Sequence, residues 1–203
     1  MKDEIKHIIS GTSKNCTGTI IQTIASFLRR SETSSGLVKE DKYFKKEETK
    51  NLIDFIAENN LWYPNINLQN YISEGAEQKV YIKSDESVLK LNDAIYYLSW
   101  LDYFQNLLLH NYFFPDTSYK LLGFYTMDKN LYAVVEQPFV KATDKTDLDK
   151  VKAFLDNNGF INIRNNDYQN NYLGIILEDL HDENVLTQNG VLYFIDTVFY
   201  IIE

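Results

Sequence analysis

Leu177-Glu178-Asp179-Leu180-His181-Asp182-Glu183-Asn184-Val185-Leu186, followed by Phe194-Ile195-Asp196-Thr197, is the stretch on which the reading of this chain turns. It sets a carboxylate, an amide and a second carboxylate at intervals of five and twelve residues. The apolar run Val191-Leu192-Tyr193-Phe194-Ile195 predicts a buried strand delivering Asp196, and Thr187-Gln188-Asn189-Gly190 predicts the turn of a short hairpin. Asp and Asn are common in turns for local reasons alone, so the interval gains chemical meaning only if other segments supply matching groups in order.

Phosphoryl transfer needs this kind of set: a carboxylate beside the attacking hydroxyl, and an amide oxygen and a second carboxylate holding Mg²⁺ against phosphates. The protein-kinase pattern H-R-D-L-x-x-x-N keeps the same interval, and its D-F-G carboxylate follows on the next strand. Upstream, Asn70 to Ile82 reads as strand, turn, strand, with Val80 where the glycine-rich loop pattern ends in its valine and Gly75 as the one glycine kept of three. Val88-Leu89-Lys90-Leu91 alternates like a strand and puts Lys90 at the V-A-I-K lysine, the bland reading being a charge that protects an edge strand.

Ser73 to Tyr81, Val88 to Asp93, Leu109 to Thr117, Tyr119 to Phe124, Glu136-Gln137-Pro138-Phe139 and Leu177 to Leu186 together resemble the serine/threonine/tyrosine-kinase-like domain of polyvalent proteins, over roughly Leu52 to Glu203. Such domains are associated with phages and conjugative elements. The resemblance implies ATP and Mg²⁺ as cofactors and an unknown acceptor. Carried over by motif, Asp179 would orient or deprotonate the acceptor hydroxyl, Asn184 and Asp196 would ligate Mg²⁺, and Lys90 would contact the α- and β-phosphates. Gly75 would let the turn backbone approach the phosphates, Val80 would close that loop, and Glu136, Gln137 and Phe139 would form the hinge, whose backbone groups suit an adenine edge. His181 is a weaker candidate, to assist the acceptor or brace the loop.

The implied fold class is α+β and protein-kinase-like: a five-stranded antiparallel N-lobe sheet with a long helix and a truncated C-lobe ending just after the DFG-equivalent Asp196. The expected organisation is a helical extension over 1–50 and a kinase-like domain over 51–203, with its N-lobe at 66–137, hinge at 136–140 and reduced C-lobe at 141–203. The long helix is expected from Asp93 to about Leu109, with Asn92 as N-cap, apolar residues at Ile95, Leu98, Leu101, Phe104 and Leu108, and His110 complementing the dipole at its end. A hairpin around Met127 to Asn130 completes the sheet, and a helix capped by Thr146 and stopped by Gly159 follows the hinge.

Three departures stand out. Kinases orient the strand lysine with a helix Glu, yet no Glu occurs from Leu91 to Val135, which leaves Asp102, or the neutral Gln105, as substitute. The Asn-rich stretch Ile161 to Tyr168 reads as strand and turn where a full kinase has a long helix. Beyond Asp196 come only Thr197 to Glu203, with no room for an activation segment, so the acceptor is expected to be a small molecule or to be presented by a partner.

Ahead of residue 50, Ile20, Ile21, Ile24, Phe27 and Leu28 stripe one helix, Glu47 to Asn59 forms a second, and Ser31 to Gly36 marks the loop between them. About fifty residues bury too little to stand alone, so these helices are expected to pack on the sheet or on a second copy of the chain. The composition, 203 residues with 44% hydrophobic content, 15 Tyr and 12 Phe, suits one substantial core, and the net charge of −9 argues against a nucleic-acid surface. A single cysteine, Cys16, and no apolar N-terminal run point to the cytoplasm, with no membrane span. The Asn15-Cys16-Thr17 sequon reads as chance, and Gly11-Thr12-Ser13-Lys14 lacks the spacing of a phosphate loop. Three function classes follow: an ATP- and Mg²⁺-dependent phosphotransferase, a nucleotide-binding pseudokinase or scaffold, and a non-enzymatic interaction domain.

Overall fold

The structure, a computed structural model, describes residues 2–10, 20–34, 41–75 and 78–202. Cys16 with its sequon, the Gly11 to Lys14 segment and Gly36 lie outside the described residues. The chain divides into two compact units, one of Lys14–Leu107 and Tyr119–Phe139, the other of Met1–Ser13, Leu108–Ser118 and Val140–Glu203. The described residues form a mixed α+β fold with antiparallel sheets and five α-helices.

The first unit is built on a five-stranded antiparallel sheet, β1 (Tyr71–Glu74), β2 (Gln78–Ile82), β3 (Ser87–Asn92), β4 (Lys120–Met127) and β5 (Asn130–Pro138), in the order β1-β2-β3-β5-β4. The β4–β5 turn falls where expected, with Asp128 and Lys129 both at positive φ, the two-residue geometry whose twist matches the strands it joins. Strand alternation sorts β3 into two faces. Leu89 and Leu91 join Ile66, Tyr81, Tyr132 and Val134 in one apolar cluster. Lys90 and Asn92 look the other way, on the side of Phe124, whose partner Ala133 also pairs with Asn92. Against Phe124 pack Trp100 and Phe104 of the helix α4 (Trp100–Phe113), at ring-centroid distances of 6.4 and 6.1 Å.

That helix begins at Trp100, not at Asp93. Asn92 does not cap it: its Oδ1 accepts the Ala94 N–H at 2.7 Å, and Asp93 Oδ1 accepts the Ile95 N–H at 3.1 Å, while Ala94 takes a positive φ. Short polar side chains that satisfy the next backbone donors compete with helix formation, and here they win. Ile95 and Leu98, expected on the buried stripe, are 65% and 75% exposed. Ser99 is the cap, its Oγ accepting the Asp102 N–H at 3.0 Å.

Two helices precede the sheet in this unit, α2 (Ile20–Ser34) and α3 (Asp41–Glu58), the latter starting earlier than Glu47. Most of the expected stripe is buried: Ile21, Ile24 and Leu28 are buried and Phe27 stacks on Phe55 at 4.3 Å, whereas Ile20, at the first position of the helix, is exposed. From α3, Glu48 Oε2 and Oε1 accept the Trp100 and Leu101 N–H groups at 2.7 and 3.0 Å, and Thr49 Oγ1 accepts Trp100 Nε1–H at 3.0 Å. Lys45 Nζ donates to the Tyr97 carbonyl at 2.7 Å and also to that of Ala94. The first donors of α4 are thereby satisfied from α3, placing a negative charge at the positive end of the helix.

The second unit carries a helix not foreseen from the sequence, α1 (Lys2–Ile9), whose Ile5 enters the local core. The helix α5 (Leu148–Asn157) is capped by Asp147, not Thr146: Asp147 Oδ1 accepts the Asp149 N–H at 3.1 Å, and Thr146 pairs with the Thr187 hydroxyl instead. Strands β6 (Ile161–Arg164), β7 (Asp167–Asn170), β8 (Ile175–Glu178) and β11 (Val198–Ile201) make an antiparallel sheet in the order β11-β8-β7-β6, so the Asn-rich segment is strand and turn as expected. Strands β9 (Val185–Gln188) and β10 (Val191–Phe194) form the expected hairpin about Asn189 and Gly190, both at positive φ. His110 lies in the last turn of α4, 1% exposed, with Nε2 against the Thr117 carbonyl and hydroxyl at 3.1 and 3.2 Å. No helix among the described residues is long and apolar enough to cross a membrane.

Candidate functional site

Strand β8 ends at Glu178, and the chain turns sharply at Asp179, whose φ of +65° lies in the left-handed region that few non-glycine residues adopt. The turn is closed from within. His181 N–H donates to the Asp179 carbonyl at 3.0 Å, and the Asn184 and Val185 N–H groups donate to the His181 carbonyl at 3.0 and 2.9 Å. Asn184 Nδ2 donates to both the carbonyl and Oδ2 of Asp179, each at 2.9 Å. The Glu183 N–H donates to His181 Nδ1 at 3.2 Å, and His181 Nε2 lies 3.2 Å from both Asp179 Oδ1 and Asn184 Nδ2. Asp179, His181 and Asn184 therefore form one cluster, with Asn184 Oδ1 left as the acceptor of its amide.

The β9–β10 hairpin leads into Asp196. Val185 pairs with Phe194, the Ile195 N–H donates to the Asn184 carbonyl at 2.9 Å, and Asp196 comes one residue later, half-buried. In the other unit, Lys90 is 4% exposed on the α4 side of the sheet, directly opposite Val80 on β2 and Val135 on β5. Its Nζ lies 3.5 Å from the Tyr119 hydroxyl and 5.4 Å from the centre of that ring. Gly75 N–H closes the β1–β2 turn on the Gln78 carbonyl at 3.0 Å, and a Cβ placed on Gly75 would meet nothing within 4 Å.

A family model described as serine/threonine/tyrosine kinase found in polyvalent proteins matches residues 45–203. The chain belongs to this family. No curated protein and no solved structure matches it. Membership in the polyvalent-protein kinases points to phosphotransferase chemistry and a nucleotide substrate.

Within this polyvalent-protein kinase domain the remaining expected residues fall as follows. Glu136 forms an ion pair with Lys83 at 2.7 Å, and hydrogen bonding to that ammonium holds its carboxyl below the usual range. The Gln137 side chain is buried, and the Phe139 N–H already donates to the Glu86 carbonyl at 2.8 Å, so that donor is engaged within the sheet. Asp102 interacts with Ser99 and, through charge, with Lys45; burial pushes its carboxyl up. Among the described residues no three His, Cys, Asp or Glu side chains group as a cage for a metal ion. Mg²⁺ seldom uses such cages: one or two protein oxygens plus water and substrate phosphates suffice, and Asn184 Oδ1 with the Asp196 carboxylate fit that donor set.

Several residues that matter went unseen in the sequence. Glu48 at the start of α4 carries no motif, and Tyr119, beside Lys90, lies in a segment of the resemblance that assigned it no role. Asp167 and Asn166, in the Asn-rich turn, were visible only as turn formers, yet they accept the N–H groups of Asp179 and Leu180, each at 3.2 Å. Glu178 sits at the same place, its carboxyl pushed up by burial and then by the negative charges of Asp167 and Asp179, with Arg164 opposing. A carboxyl raised by folding stabilises the fold below its unfolded value and loses that contribution as pH rises through the folded one. Glu178→Gln is therefore expected to raise the melting temperature at neutral pH, with the advantage vanishing below the ordinary glutamate range. Melting curves of both proteins across that window check it.

Proposed function

We propose that this domain transfers a phosphoryl group from ATP, with Mg²⁺, to a hydroxyl of an acceptor. The observation that carries the reading is the closed loop in which Asn184 and His181 hold the two carboxylate oxygens of Asp179. A carboxylate fixed in this way is suited to orient a hydroxyl and accept its proton as the new bond forms. Asn184 Oδ1 and Asp196 would hold Mg²⁺, which when bound neutralises phosphate charge. Lys90 would pair with the α- and β-phosphates, and Gly75 would let the β1–β2 turn lie against them. An adenine edge would use backbone groups of the Glu136 to Phe139 segment other than the Phe139 N–H.

A thermal-shift titration with ATP, with and without Mg²⁺, tests the reading, because a ligand that binds only the folded chain stabilises it by about 2.7 kcal/mol at a hundred times its Kd. A Mg²⁺-dependent shift is expected, and it should disappear in Lys90→Ala and Asp196→Ala. Binding without any phosphoryl transfer would instead support a nucleotide-binding scaffold. No shift at millimolar ATP would sink the nucleotide site and favour an interaction domain.

A further inference from the structure

We propose that Asp167 is a positioning residue for Asp179, and that the β6–β7 turn takes hold of the catalytic loop from its flank. The inference rests on the phosphotransferase reading of Asp179. It starts from strain: a left-handed non-glycine residue costs about 1–2 kcal/mol and persists only where the surroundings impose it. At Asp179 the imposition from outside the loop comes from one turn, Asp167 Oδ1 taking the Asp179 N–H and the Asn166 carbonyl taking the Leu180 N–H, each at 3.2 Å.

That turn is itself held. Asn162 Nδ2 donates to the carbonyls of Asn165 and Asp167 at 2.8 and 3.2 Å, and Asn165 takes a positive φ. Asp167 leads into β7, which pairs with β8 through buried Tyr168 and Leu177, so the turn is registered against the strand that ends at Glu178. Leu180, the next residue after Asp179, is buried in the same core. The path from the Asn162 amide through the turn to the Asp179 N–H thus fixes both backbone groups on either side of the Asp179 side chain. Asp167 and Asp179 both bring negative charge to bear on the Glu178 carboxyl, an arrangement that a purely solvating role for Asp167 would not require. A bond that orients a strained general base explains it.

The experiment compares Asp167→Ala and Asp167→Asn with the unaltered chain by three readouts: amide hydrogen exchange at Asp179, Mg²⁺-ATP affinity by thermal shift, and kcat and KM for ATP turnover. Asp167→Ala is expected to lose protection at the Asp179 amide and to lower kcat about 10–100-fold, with KM and affinity for Mg²⁺-ATP within about twofold. Asp167→Asn keeps an oxygen acceptor and should restore both protection and most of kcat. Unchanged protection in Asp167→Ala, or equal losses in the two variants, would overturn the inference. If the unaltered chain binds Mg²⁺-ATP but turns none over, the phosphotransferase reading fails by itself, and the exchange at Asp179 still decides whether Asp167 holds that residue.

Discussion

Asp179→Asn is expected to slow phosphoryl transfer about a thousandfold, the scale on which a positioned general base contributes. The substitution isolates chemistry from backbone. Asn tolerates the left-handed region better than most residues, so the φ of +65° survives, and its amide oxygen still accepts from one of the two donors, Asn184 Nδ2 or His181 Nε2. The other donor loses its acceptor, at about 1 kcal/mol. Asp179→Ala should be worse for stability, because it loses both side-chain bonds and keeps a left-handed Cβ, whereas Asp179→Gly relieves the strain. Single-turnover rates alongside melting curves separate these effects. A rate within tenfold of the original in Asp179→Asn would remove Asp179 from the chemistry.

Gly123→Ala is expected to destabilise the sheet unit by about 3 kcal/mol, with a fall in melting temperature on the order of 10 °C. Gly123 sits at an irregularity between Leu121 and Gly123 in the β4–β5 register, with φ +149°. The segment leading out of α3 lies directly on it: the Tyr63 N–H donates to the Phe124 carbonyl at 2.7 Å and the Phe124 N–H to the Leu61 carbonyl at 2.9 Å. A Cβ on Gly123 would stand 2.5 Å from that Leu61 oxygen, and backbone cannot yield as the tip of a flexible side chain can. A melting curve superimposable on that of the unaltered chain would show that the 61–63 segment shifts freely and does not anchor the sheet.

The sequence by itself determined the strands of the five-stranded sheet, the hairpin before Asp196 and their turns, and it nominated the residues proposed to bear the chemistry. Alternation around Lys90, the Asn-Gly turn before Val191 and the five-residue interval from Asp179 to Asn184 are local patterns, and local patterns survive folding when nearby residues supply the partners. The Asp179, His181 and Asn184 cluster closes within six residues, so its geometry was nearly implicit in the motif. Tertiary structure decided what depended on distant or competing partners. The start of α4 moved to Trp100 because Asn92 and Asp93 satisfy nearby amides while Glu48 and Lys45, about fifty residues away, hold the rest. Lys90 met Tyr119 because β3 and β4 flank the same strand, a neighbourhood that no spacing in the chain announces. Asp167 gained its role in the same way, since a hydrogen bond across two strands is a property of register and not of composition.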